Sequence, residues 1–199
     1  MTPSDSPAVL IVPGLRDHVE AHWQTGLAAS LPQAHTVPPM GRTDLDCQAR
    51  VQAIERAFER AVAAIDGPVV IVAHSGGCIM IAHWAQVTRH AQRVRGCLLA
   101  TPPDFERPMP EGYPTIEMLQ AGGWLPVPRH RLPFRSLVAA SRNDPLGDFD
   151  RVHALAQDWG SEFEDLGEVG HLNPASGYGP WPRALDLVAA LAAGPISPP

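Results

Sequence analysis

Cysteine is scarce in this sequence: Cys47, Cys78 and Cys97 are the three in 199 residues, far apart and without a Cys-x-x-Cys pair. An odd, scattered set argues against a disulfide framework or a thiolate zinc site and predicts free thiols in a reducing, cytoplasmic compartment. Cys78 and Cys97 sit within apolar stretches and read as small core residues. Charge is also modest. The 15 basic and 21 acidic residues leave a net −6, which argues against nucleic acid or an anionic membrane as partner. No apolar run approaches the roughly 20 residues of a membrane helix. The segment Met1–Pro7 has no basic residue to open a secretory signal, so none is expected there.

Phosphate-loop glycines are missing too. Gly14 stands alone and no G-x-x-x-x-G-K-[ST] occurs, so no nucleotide cofactor is expected. His18 and His22 have the i, i+4 spacing of paired metal ligands. They lack the glutamate of H-E-x-x-H and the cysteines of a zinc deaminase, so no metal is expected.

What the chain does have is a regular alternation of buried strands and amphipathic helices. Its 22 prolines fall between the apolar runs and punctuate them. Strands are predicted at 8–12, 34–37 (at the sheet edge), 69–72, 94–100, 133–141 and 162–166. Helices are predicted at about 19–31, from a cap at Asp44 or Asp46 to Ile65, after Ser75, at 149–159 and at 183–193, with one turn near 116–119. That order predicts a single α/β domain over 8–193: a doubly wound, mostly parallel sheet of about six strands. Residues 1–7 and 194–199 are expected to be disordered. Ligands of such sheets sit at the carboxyl ends of the strands.

The most informative stretch is Val69-Val-Ile-Val-Ala-His-Ser75-Gly-Gly-Cys78, followed by the helical pattern of Ile79, Ile81 and Trp84. A β-branched run, a serine in a sharp turn and a helix make the nucleophile elbow G-x-S-x-G, with Ala73 in place of the first glycine. The bland reading is a turn serine capping a helix. Serine needs a base, and an imidazole base needs an acceptor that fixes its tautomer. Asp144, in Ser141-Arg-Asn-Asp-Pro145, and His171, in the glycine-rich loop Gly167–Asn173, each follow a predicted strand. Asp144 alone would read as a turn former. In the order Ser75, Asp144, His171 after three strand ends, the triad is the better reading. The oxyanion hole is assigned to the backbone N–H groups of Gly76 and of Leu15, in the Pro13-Gly14-Leu15 turn after the first strand.

Several segments occur together in family order: Pro13-Gly-Leu15, His22-Trp-Gln24, Ala73-His-Ser-Gly-Gly77, Leu132-Pro-Phe134, Ser141-Arg-Asn-Asp-Pro145 and Gly170-His-Leu-Asn-Pro-Ala-Ser-Gly-Tyr-Gly-Pro-Trp181. With them the chain, from about Val9 to Leu191, resembles the small α/β-hydrolases of the YdeN and retinoblastoma-binding serine hydrolase type. The resemblance implies a compact α/β-hydrolase with little or no cap, and Ser75, Asp144 and His171 as triad. It also implies a carboxylesterase-like hydrolase or related amidase acting on a small ester or amide. In that family Leu commonly follows the nucleophile. Gly76 in its place predicts a softer oxyanion hole and a wider pocket beside Ser75.

The pocket is expected to be built by Arg16, His22, His74, Pro102, Trp124 and Leu146. The Pro- and Gly-rich 105–132 segment either supplies an apolar wall through Trp124, Leu125 and Val127 or merely covers the sheet edge. His74, His83 and His153 otherwise read as structural. A monomer or weak homodimer is expected. The competing function class is a non-catalytic interaction module on a hydrolase fold.

Overall fold

The computed structural model describes residues 7–16, 19–41, 45–65 and 67–194. Residues 1–6 and 195–199 of the two expected disordered ends, together with His18 and Asp44, lie outside the described residues.

Six strands form one sheet: β1 (Ala8–Val12), β2 (Ala34–Thr36), β3 (Val69–His74), β4 (Val94–Ala100), β5 (Ser136–Ala140) and β6 (Glu162–Asp165). Their order is β2-β1-β3-β4-β5-β6, and every pairing is parallel rather than mostly so. Every residue of β1, β3 and β5 is buried, as their unbroken apolar runs require of strands covered on both faces. The two edge strands are short and partly exposed.

Alternate residues of each strand face opposite layers. Val9, Ile11, Val70, Val72, Leu98 and Leu137 meet α1 (Trp23–Ser30) and α6 (Arg183–Ala193). Leu10, Val12, Ile71, Ala73, Leu99 and Val138 meet α2 (Cys47–Ile65), α3 (Gly76–Ala85) and α5 (Phe149–Trp159). The last helix, α4 (Ile116–Ala121), lies within the long β4–β5 connection and buries Leu119. Among the described residues, no helix is long and apolar enough to cross a membrane.

Local signals explain most of the boundaries. Asp46 Oδ1 accepts from Ala49 N at 3.0 Å and starts α2. Asp148 does the same for Arg151 N in α5, which ends on Gly160 in the left-handed conformation. Two boundaries depart from the sequence pattern by three residues or more. Strand β5 begins at Ser136 rather than 133. Helix α1 begins at Trp23, not Val19, because His22 is extended and its Nδ1 accepts from Gln24 N at 3.2 Å. From β1 the chain runs to β2 on one side and then returns to β3 on the other. This puts the topological switch, and the crevice it opens, between the carboxyl ends of β1 and β3.

Candidate active site

Ser75 sits at that crevice, directly after β3, with φ 56° and ψ −133°. A β-carbon is strained at such an angle, and the surrounding bonds hold it there. Ser75 N donates to Ala100 O at 2.9 Å, and Cys78 N donates to Ser75 O at 2.8 Å. Helix α3 comes so close to β1 that a Cβ on Gly77 would stand 2.6 Å from Val12 O and 2.8 Å from Pro13 O. Only glycine fits there, which is why the final elbow position is kept. Ala73 is fully buried in the sheet core, where its methyl group packs in place of the first glycine.

Two loops bring the other groups in. His171 Nε2 lies 2.8 Å from Ser75 Oγ. His171 Nδ1 lies 2.8 Å and 3.0 Å from the two carboxylate oxygens of Asp144. A carboxylate only accepts, so Nδ1 carries the proton and Nε2 is free to accept from the serine hydroxyl. Both side chains are almost wholly buried, at 4% and 3% exposure, so the pair is shielded from water and salt.

The His171 loop is held at every turn. Its N–H donates to Ser176 Oγ at 3.0 Å, and its carbonyl accepts from His74 Nε2 at 2.9 Å. Trp23 Nε1 donates to Leu172 O at 3.0 Å. Asn143 Oδ1 accepts from Gly170 N at 2.7 Å, locking this loop to the one that carries Asp144. Gly170 itself has φ 59°, and a Cβ there would meet Ser176 Cβ at 2.6 Å. Sequence reasoning gave Ser176 and Asn143 no role, although both lie within the quoted motifs. The signal is the Asx and Ser chemistry of those loops.

The motif His22-Trp-Gln24 acquires a physical reason in the same place. Gln24 Nε2 donates to Val12 O at 3.2 Å and Val72 O at 3.1 Å, tying the ends of β1 and β3 together beneath the serine. Trp23 is buried, edge-on to Trp181 at 4.8 Å. The rings of His22, His74 and His171 follow one another at 4.5 Å and 5.0 Å. Burial chiefly, with the neighbouring histidines, holds His74 well below the ordinary histidine value, so it stays neutral and donates to the His171 carbonyl.

The Gly14–Leu15 backbone passes beside the serine. A Cβ on Gly14 would lie 3.3 Å from Ser75 Oγ, and one on Gly76 would lie 3.4 Å from Leu15 N. Gly76 is the first residue of α3, whose leading N–H groups have no partner within the helix and carry partial positive charge. The space next to Gly76 is not open. Its Cβ would stand 2.8 Å from Leu15 Cγ, so the Leu15 side chain fills the space expected to widen the pocket.

Above these groups lies a cavity of about 880 Å³. Of the residues expected to build it, Arg16, His22, His74 and Leu146 line it, beside Ser75 and His171. Pro102 and Trp124 do not. Pro102 is buried with its carbonyl against Gly147, and Pro103 takes the lining position. Trp124 is fully buried, its Nε1 donating to Leu45 O at 2.7 Å and its ring edge-on to Phe105. The indole N–H needed an acceptor and found it behind the wall, not in it. Leu125 and Val127 likewise pack against the core, and the wall comes instead from Phe105, Met109, Tyr113 and Met118.

Among the described residues, one trio brings possible metal-ligand atoms within 4.8 Å of each other: Glu55, Glu59 and His90. None of the three lines the cavity. His83, read as structural, places Nε2 3.1 Å from Trp124 O, and His153 packs on Phe163. The three cysteines are buried and unpaired, and burial pushes the Cys47 thiol up to about 12.

A serine oxygen bonded to an imidazole that is bonded in turn to a buried carboxylate can release its proton as it attacks an electrophile. Comparison with known proteins agrees with that chemistry. The model of the serine hydrolase family matches residues 9–190. A structure described as a YdeN-like hydrolase, from Pectobacterium atrosepticum, is 29% identical with a TM-score of 0.76, covering 95% of this chain and 92% of that one. The ydeN gene product of B. subtilis is 18% identical with a TM-score of 0.71, covering 95% and 100%. Est1E from Butyrivibrio proteoclasticus, solved with ferulic acid bound, shares the fold at 11% identity and a TM-score of 0.68, covering 96% and 88%. Comparison with curated proteins returns no match. A family match that spans nearly the whole chain, joined to this fold, settles the assignment: the protein is an α/β-hydrolase that belongs to the serine hydrolase family and is similar to YdeN-like hydrolases.

Proposed function

We propose that this hydrolase cleaves a small ester or amide through an acyl-enzyme formed on Ser75, with His171 as base and Asp144 as its orienting carboxylate. The observation that carries the reading is the unbroken chain of contacts from Ser75 Oγ through His171 to Asp144 at the floor of the cavity. As Ser75 Oγ attacks the substrate carbonyl carbon, His171 Nε2 takes its proton. The carbonyl oxygen becomes an oxyanion and accepts from the N–H groups of Leu15 and Gly76. Collapse breaks the bond to the alcohol or amine, which leaves with the proton from His171. Water then attacks the acyl carbon and gives a proton to His171. The second collapse releases the acid and returns the proton to Ser75. Asp144 remains ionised throughout and stabilises the imidazolium. The buried, unpaired thiols support work in a reducing compartment such as the cytoplasm.

The test is turnover of a panel of short esters and amides by the wild type and by Ser75→Ala. Turnover of at least one class, lost in the variant with folding intact, supports the reading. A folded wild type that turns over none of them would favour a binding module on the same fold.

A further inference from the structure

The cavity is apolar on most sides, walled by Ile11, Val19, Phe105, Met109, Met118 and Leu146. Among the described residues that line it, one carries a permanent charge: Arg16. Five of the described surface arginines find carboxylates, and Arg16 is set apart from the rest by its place on the cavity wall. Arg129, Arg135, Arg142, Arg151 and Arg183 each pair with Asp or Glu. Arg16 does not. Its guanidinium lies over the Tyr113 ring, 4.3 Å from the centroid, and Nη2 donates to Gly112 O at 2.8 Å. These two contacts fix the plane of the fork and leave Nε and Nη1 without a bonded partner among the described residues. In a chain of net charge −6, a cation held flat at an apolar cavity, with no acid partner among the described residues, can receive an anion.

We infer that Arg16 is a specificity-determining residue, and that the substrate is an ester or amide whose apolar body ends in a carboxylate. The inference rests on the assignment of Ser75 as nucleophile and adds the class of molecule that Ser75 attacks. The apolar body fills the cavity between Phe105, Met109 and Leu146. The carboxylate reaches Arg16, while the scissile carbonyl lies at Ser75 Oγ. Arg16 follows directly on Leu15, so the loop that offers an oxyanion donor also carries the anion reader. Tyr113 and Gly112 act as positioning residues, because they hold the guanidinium plane.

The experiment compares pairs of equal carbon count in which a terminal carboxylate replaces a methyl group. Monomethyl adipate is set against methyl hexanoate, which places the carboxylate on the acyl side. 6-Acetoxyhexanoate is set against hexyl acetate, which places it on the alcohol side. In the wild type the charged member of at least one pair should have kcat/KM about tenfold above its neutral partner, a size expected for a partly exposed charge-assisted bond. The preference should lie mainly in KM and shrink as salt is raised. Arg16→Gln should erase the ratio, Arg16→Lys should keep part of it, and Tyr113→Leu should weaken it.

Neutral members preferred in both pairs, or a charge preference that survives in Arg16→Gln, would overturn the inference. Equal losses on charged and neutral members would make Arg16 a latch for the 105–115 segment and overturn it as well. Ser75→Ala run on the neutral esters keeps the two claims separate. Neutral turnover that persists there defeats the nucleophile, whereas a missing charge preference with that control intact defeats only the role of Arg16.

Discussion

Gly76→Ala is the smallest change that reaches the proposed oxyanion hole without touching the serine, imidazole or carboxylate. The new methyl carbon would stand 2.8 Å from Leu15 Cγ and 3.4 Å from Leu15 N. Ordinary carbon contacts lie at about 3.5–4.0 Å, so the overlap is on the order of 1 Å. Leu15 Cγ is the branch point of the side chain, and moving it moves the backbone that carries the Leu15 N–H. Overpacking of this kind costs about 1–3 kcal/mol. Appearing wholly as misplacement of one oxyanion donor, that is about a 5- to 150-fold loss in kcat/KM. Outright removal of such a donor costs about 10²–10³, which bounds the effect from above. The assay is kcat/KM on a short neutral ester, with Tm recorded for each variant, in a double-mutant cycle with Leu15→Ala. Shortening Leu15 removes the clashing atom, so the double variant should recover most of what Gly76→Ala loses. Strict additivity, or a Gly76→Ala enzyme with wild-type kcat/KM and Tm, would show that the Leu15 contact does not set the donor's position.

Asp144→Asn keeps the size of the side chain but removes the charge and offers the wrong hydrogen to His171 Nδ1, now 2.8 Å from the carboxylate. The kcat should fall by something on the order of 10³–10⁴ with little change in Tm, measured on the same ester. Acid stability reports on the buried His74 and the half-buried His83. Burial lowers His83 and His74 below the ordinary value, so the unfolded chain takes up protons first as pH falls below about 6.5. Their contribution to stability is therefore complete above that pH and lost below it, through the lower folded values. The Tm gap between wild type and His83→Gln should narrow from pH 7.5 to 5.5, and a widening gap would contradict the sign.

The strands and most of the helices were legible because their limits are written in single residues. Asp148 and Gly160 bracket α5, and Asp66-Gly67-Pro68 precedes the β-branched run of β3. The residues at the floor of the site were legible for a related reason. Each follows a strand end, and a parallel sheet brings all its strand ends to one edge. The start of α1 was not, since a histidine nitrogen acting as N-cap has no distinctive spacing. The cavity wall was not either. The 105–132 segment has no period, and nothing in it tells that Trp124 turns inward to Leu45 O while Tyr113 turns toward Arg16. Nor does sequence spacing reveal that Leu15 fills the space beside Gly76, because that contact joins residues 61 positions apart in the chain.

If Ser75 Oγ is the attacking atom, a fluorophosphonate probe reacts there. One covalent adduct per chain is expected, located on Ser75 by peptide mass spectrometry. Labelling should be absent in Ser75→Ala and slowed by orders of magnitude in His171→Ala. An adduct on another serine, or equal labelling of the Ser75→Ala chain, would contradict Ser75 as the attacking residue.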